Sequence, residues 1–279
     1  MKQAEDAQDI ALLYNVDVRK LSALRDLGIR TVADAAELHV EALAGAAPGL
    51  TARGLEAIRL QARSLRESTV FVKEPVSIPT ARLEIFFDIE SDLPNDVDYL
   101  YGFWLRPSAS ALSMEKGVYH RFIAERPEDE SKMWQEFLAW IQTLPEDYVV
   151  YHYAPYEPTR LRVLEDRYGG SSALETLRAR LIDIKQFVAK PVVFPLYFYG
   201  LKQICKFLGF SWRGELQSGG ESIDWYERWC ESGERRLLDQ IIIYNEDDVR
   251  ATVFLKDWLV TYAGALAAYE KPYPWELRP

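Results

Sequence analysis

The stretch "LEIFFDIESD" at residues 83–92 sets two acids, Asp88 and Glu90, inside a run of apolar, strand-forming residues. Strand side chains alternate between faces, so residues two apart share one face about 7 Å from each other. Both carboxylates therefore point the same way. Like charges on one face repel, and carboxylates are seldom buried without a partner. The pattern predicts a strand whose acidic face meets something positive.

On either side of this strand the chain changes character. Residues 10–68 are rich in Ala and Leu with helical periodicity, punctuated by Gly28, Gly45, Gly49 and Gly54. Within them "LSALRDLGIRTVADAAEL" reads as helix, tight Gly-Ile turn, helix, with Thr31 placed to start the second helix, and "LAGAAPGLTARGLEAIRLQARSL" repeats the idea loosely. Pro75 and Pro79 in "VKEPVSIPTAR" predict an extended linker. Strands follow at 83–91, 98–106 and 116–124, forming a meander. An amphipathic helix near 128–143 then carries Trp134, Phe137, Leu138 and Ile141 on one stripe. After it come the strand "DYVVYH", a helix over 155–168, the strand "RLIDIKQF" and the helix "GLKQICKFLGF" ended by Gly209. One long C-terminal helix or two begins at "GERRLLDQ". Strands in succession, then strand and helix units, imply a mixed sheet with helices on its faces. The expected division is a helical domain over 1–72, a linker over 73–81 and an α/β domain over 82–279.

Composition narrows the function classes. A net charge of -10 argues against a surface that grips phosphate everywhere, although acids gathered around metal would supply part of that charge. No apolar run approaches the roughly 18 residues of a membrane span, and "MKQAEDAQDI" lacks the basic and apolar regions of a signal peptide. Cytoplasm, with no membrane contact, is the expected compartment. Cys205 and Cys230 are too few for a disulfide framework or zinc site and are expected as buried thiols.

Further acids stand at positions where chemistry belongs. Glu157 in "YHYAPYEPTRL" follows a strand end at the start of a helix, where open α/β sheets place ligands. Tyr244 and Asp248 in "IIIYNEDDVRAT" are four apart and share a helix face; Asp247, three from Tyr244, is the competing choice. Asp183 interrupts the apolar strand "LIDIKQF". Singly, each acid has an ordinary reading as a strand-end, first-turn or solvated residue.

Together, "FFDIES", "YHYAPYEPTRL", "GLKQICKFLGF" and "YNEDDVRAT" resemble the DEDD exonucleases of the RNase H-like superfamily, in the branch with Tyr in the last motif. Within that branch they resemble the YprB-like domains of predicted RecB-family nucleases. The resemblance implies an α/β, RNase H-like mixed five-stranded sheet with flanking helices. It implies that Asp88, Glu90, Glu157 and Asp248 hold two Mg²⁺ or Mn²⁺ ions, with Tyr244 as helper and Asp183 as a supporting acid or fifth ligand. Two ions about 4 Å apart would activate water on one side of a phosphodiester and stabilise the departing 3′ oxygen on the other. The implied activity is 3′ to 5′ exonucleolytic hydrolysis of nucleic acid, DNA in preference to RNA, with a helicase or RecB-like nuclease as partner. Glu157 stands where most of these enzymes carry Asp, Tyr153 where they carry Asn, and Gly200 where Ser is expected. A non-catalytic nucleic-acid-binding module and an RNA-directed nuclease are the rival functions.

"LGIRTVADA" resembles the helix-hairpin-helix family, which implies that backbone amides at Gly28 and Ile29 meet phosphates. A small bundle used for packing or partner contact is the alternative. Arg160, Lys185, Lys190, Lys202 and Lys206 are candidate phosphate contacts. The aromatics of "VVFPLYFYG" with Trp212, Trp225 and Trp229 are either core or a stacking platform for unpaired bases. His152 is expected as a hydrogen-bonded strand-end residue.

Overall fold

A computed structural model describes residues 8–14, 16–108 and 117–263. The chain divides into two compact units, one drawn from Met1–Val76, Phe187–Gly209 and Thr261–Pro279, the other from Ser77–Gln186 and Phe210–Val260.

The first unit opens with helices α1 (Val18–Asp26), α2 (Val32–Ala36), α3 (Val40–Leu43) and α4 (Ala52–Glu67). Leu24, Ile29, Val32, Ala35, Leu55 and Ile58 share its apolar core. Each start has a chemical reason: the side chains of Asp17, Thr31 and Thr51 accept amide N–H bonds from the first turns of α1, α2 and α4. The short strand β1 (Phe71–Val72) follows. It pairs antiparallel with Val192–Val193, through Phe71 opposite Val193. Residues 187–209 therefore belong to the helical unit, whereas the sequence groups them with the sheet. A two-residue ladder between segments 120 residues apart leaves no periodicity to read.

The second unit is built on β2 (Leu83–Asp92), β3 (Val97–Pro107) and β4 (Val118–Ile123), then α5 (Glu130–Ile141), β5 (Tyr148–His152), α6 (Tyr156–Tyr168), α7 (Ser172–Ala179) and β6 (Leu181–Asp183). Helix α8 (Gln186–Ala189), strand β7 (Val192–Val193) and helix α9 (Leu201–Leu208) lead back to α10 (Gly219–Ser232) and α11 (Arg235–Trp258). The sheet order is β4-β3-β2-β5-β6. The meander β2–β3–β4 is antiparallel, and β5 and β6 add in parallel. This is the mixed five-stranded α/β sheet the sequence implies. Helices α7, α8 and α10 are additions to the sequence reading, the strand expected over "RLIDIKQF" is confined to Leu181–Asp183, and the last long helix is single, closing in a π turn at Leu259–Ala263.

Alternation along β2 places the site. Ile85, Phe87 and Ile89 enter the core beneath α5, α6 and α7, beside Phe103, Trp134, Phe137 and Leu138. The Phe87 ring stacks on Phe103 at 4.5 Å between centroids. Glu84, Phe86, Asp88 and Glu90 consequently face α11. Among the described residues no helix is long and apolar enough to cross a membrane.

Candidate active site

Asp88, Glu90 and Asp248 each offer a carboxylate oxygen, and these atoms lie within 4.8 Å of one another. Glu90 and Asp248 are buried. At that separation each pair of charges repels by about 3.5 kcal/mol at an effective dielectric of 20. The register of β2 on β3 slips between Glu90 and Ser91, so the strand bulges directly after the acidic pair. Such bulges re-aim side chains where ladders end.

Neutral donors hold this group in place. Asn245 Nδ2 donates to Asp88 Oδ2 at 2.8 Å, and the Tyr119 hydroxyl donates to Asn245 Oδ1 at 2.8 Å. Gly102, opposite Asp88 in the ladder, makes room for this carboxamide. A Cβ at Gly102 would lie 1.6 Å from Asn245 Oδ1. Trp212 Nε1 donates to Asp248 Oδ1 at 2.6 Å. Trp212 is thus engaged with a site carboxylate, whereas Trp229 and Trp225 pack in or against the core beneath α10.

Tyr244 is buried beside all three acids. Burial first, and then the charges of Asp248, Glu90 and Asp88, raise its hydroxyl far above the ordinary phenol range. It stays protonated, able to donate a hydrogen bond and unable to act as a base near neutral pH. Asp247, the competing acid, instead accepts from the Arg213 backbone and guanidinium at 2.6 Å each.

Glu157 is not part of the converging trio. It sits on the first turn of α6 beside His152, whose Nδ1 is 3.2 Å from Glu157 Oε2. Since a carbonyl only accepts, His152 Nδ1 carries a proton donated to Ala154 O at 2.7 Å. Glu157 Oε2 has no hydrogen-bond partner among the described residues. Burial raises the Glu157 carboxyl, against the opposing pull of His152. Asp183 is committed elsewhere: its Oδ1 accepts from the amides of Ala154 and Lys185 at 2.8 and 2.9 Å. Ala154, at φ +70°, adopts a left-handed conformation that costs a non-glycine residue about 1–2 kcal/mol. Asp183 and His152 pin both of its backbone groups, and that turn delivers Glu157.

The expected phosphate contacts divide differently. Arg160 is buried on α6, with Nε donating to Asp98 at 2.6 Å and both Nη groups to Asp96 at 3.1 Å. Two acids absorb its charge, so it is an internal tie and not a solvent-facing phosphate ligand. Lys202 lies on α9, in the first unit. At the hairpin between α1 and α2, Gly28 takes φ +81° as the tight turn requires. Its amide donates to Arg25 O at 3.0 Å, and that of Ile29 to Leu24 O at 3.0 Å. The next two amides, of Arg30 and Thr31, donate to Asp34 Oδ2 at 3.0 and 2.9 Å. The amides of Gly28 and Ile29, expected as phosphate binders, thus donate to carbonyls of α1, and Asp34 takes the two amides that follow them. The signal was legible in "TVAD", a capping box in which the acid three residues after Thr31 reaches back.

Sequence reasoning missed Asn245 and Trp212 as supports of the acids. Asn245 adjoins Tyr244 in the same motif, and an amide inside an otherwise apolar helix stripe was the available signal. No curated protein matches the chain. A family model described as the RNase_H superfamily matches residues 85–260, well over half of the chain, from within β2 through α11. With its mixed five-stranded sheet and the acids gathered on the central strand and last helix, the chain belongs to the RNase H superfamily.

Proposed function

We propose that the second unit is a metal-dependent nuclease that hydrolyses phosphodiester bonds, working as a 3′ to 5′ exonuclease with single-stranded DNA as its substrate. The observation that carries this reading is the convergence of Asp88, Glu90 and Asp248 beside a protonated Tyr244. Three carboxylates whose oxygens converge within 4.8 Å are a donor set for hard divalent ions, Mg²⁺ or Mn²⁺. When bound, such ions neutralise charge developing on the phosphate and lower the cost of deprotonating water.

The chain's own residues then have separate tasks. Asn245 and Trp212 each fix one oxygen of Asp88 and Asp248, which sets the direction of the donor set. Tyr244 donates its hydroxyl hydrogen bond to orient the attacking water or the scissile phosphate. Glu157, on its pinned turn, is the acid that completes the set from α6. A second reading, a nucleic-acid-binding module without chemistry, is favoured by the place of Glu157 outside the converging trio.

The test is release of mononucleotides from labelled single-stranded DNA, with RNA alongside, in Mn²⁺, Mg²⁺ and EDTA. Metal-dependent release that disappears in Asp88→Asn supports the nuclease. Binding that survives EDTA with no cleavage in any metal supports the binding module. Tyr244→Phe is expected to lower turnover by about a hundredfold through misplacement of the reacting groups; full turnover in that variant would remove its role.

A further inference from the structure

The first unit carries a loop whose construction is unusual for its exposure. Between β7 and α9 the sequence runs Phe194-Pro-Leu-Tyr-Phe-Tyr-Gly200, with Tyr197 38% and Phe198 59% exposed. Rings so placed in a loose loop would have no particular orientation, yet this loop is held from below. Gln61 on α4, 5% exposed, donates from Nε2 to the carbonyls of Phe194 and Leu196 at 2.9 and 3.1 Å. The Tyr199 hydroxyl donates to Gln61 Oε1 at 2.8 Å and accepts from the Phe194 amide at 2.6 Å. Tyr199 in turn stacks on Tyr14 at 4.2 Å and 8°. Phe198 lies against the bare backbone of Gly200, where a Cβ would come within 2.7 Å of the ring. Burying a carboxamide is favourable only when its bonds are made, and here they are spent on fixing a tip that offers aromatic faces to solvent.

Charge separates this segment from the rest of the protein. Residues 187–209 contain Lys190, Lys202 and Lys206 and neither Asp nor Glu, in a chain of net charge -10. Beside the Gln61–Tyr199 network lies a cavity of about 160 Å³ lined in part by Tyr14, Lys20, Gln61, Lys73 and Tyr199. Lys20 pairs with Asp17 at 2.9 Å. Burial disfavours the charged form of Lys73, the neighbouring charge of Glu74 opposes that shift and Arg53 adds weakly to it.

We infer that this loop and cavity form a contact for single-stranded nucleic acid, with Tyr197 and Phe198 stacking on unpaired bases and Lys73 receiving a backbone phosphate. The inference rests on the nuclease reading for its choice of partner. Flat rings bind any base, and cations bind any phosphate, so the contact would hold a strand without reading its sequence. A pre-ordered tip lowers the entropy that stacking must overcome.

Fluorescence anisotropy of the full chain with a labelled single-stranded oligonucleotide, in EDTA, tests this apart from catalysis. Phe198→Leu, which keeps an apolar side chain but removes the ring, is expected to weaken binding about tenfold, and Phe198→Trp to restore it. Lys73→Ala is expected to lower the slope of log affinity against log salt by about one. Unchanged far-ultraviolet circular dichroism guards against misfolding of each variant. No oligonucleotide binding by the parent chain, or equal binding by the parent and Phe198→Leu, overturns the inference. Sedimentation showing a dimer that Phe198→Leu dissociates also overturns it, and assigns the rings to a second copy of the chain. Hydrolysis of bis(p-nitrophenyl) phosphate in Mn²⁺ by the parent chain separates the two readings: its absence counts against the nuclease and leaves the binding result standing.

Discussion

Strand β2 and helix α11 meet at two acidic places, and the two are built in opposite ways. At one end Glu84 is fully buried against Arg106, whose Nε and Nη2 donate to it at 3.0 and 2.8 Å, and against Lys256 at 2.8 Å. Asp257 takes the remaining guanidinium bonds at 2.6 Å. Two acids and two bases thus form a closed, neutral cluster. Four residues along the same strand face, Asp88 and Glu90 meet Asp248, where Asn245 donates to Asp88 and Trp212 to Asp248. Strand, helix and face are shared, so burial does not explain the difference. Charge compensation marks one end as a structural lock, and the convergence of three carboxylates marks the other as a place for a cation.

The largest effect belongs to the lock. Arg106→Met leaves Glu84 and Asp257 with Lys256 alone, and loss of one partner from a buried pair costs about 3–5 kcal/mol. Chemical denaturation should show that loss. An effect below 1 kcal/mol would mean that the cluster is not the tie its geometry suggests.

A metal-dependent effect is expected at the other end. Asp248→Asn keeps an acceptor for Trp212 while removing one of three repelling charges. Mn²⁺ is expected to raise the melting temperature of the parent and to leave that of the variant unchanged, because the variant has lost one of the three converging carboxylates. A parent melting temperature that Mn²⁺ does not move would end the contrast between the two ends.

A smaller effect sharpens the same contrast. Asn245→Ala deletes the donor on Asp88, and Gly102→Ala displaces that carboxamide by crowding its oxygen. Both should weaken Mn²⁺ binding about 10- to 100-fold, read by calorimetry and not by turnover. Agreement between a deletion on the helix and an insertion on the strand would locate the effect in the Asn245–Asp88 bond.

How much of this was legible depends on whether the information was local. The meander, the stripe of Trp134, Phe137, Leu138 and Ile141, and the acids on β2 and α11 follow from alternation and helical spacing, and the structure has them. The lock was invisible because Glu84 and Lys256 are 172 residues apart and each reads as an ordinary surface charge. The β1–β7 ladder was hidden for the same reason. Arg160 shows the reverse case: a cation suggested phosphate, while the chain's own Asp96 and Asp98 take its donors. Sequence shows which groups want partners and leaves open whether the fold supplies them.

Asp34 offers a third way to keep a carboxylate, and the mildest test. The amides of Arg30 and Thr31 compensate it, and they hold its pKa below the ordinary value of 3.8. A depressed folded pKa contributes stability that is complete above the unfolded pKa and lost as pH falls through the folded one. Asp34→Ala should therefore cost about 1 kcal/mol at pH 7, and the gap from the parent chain should close as pH drops below 3.8. Asp34→Asn keeps an oxygen for both amides and lacks the charge, so its stability should fall between the two at pH 7 and change little on acidification. If Asp34→Asn matched the parent at neutral pH, hydrogen bonding alone would account for the cap, and charge would matter only where acids meet one another, as at Asp88, Glu90 and Asp248.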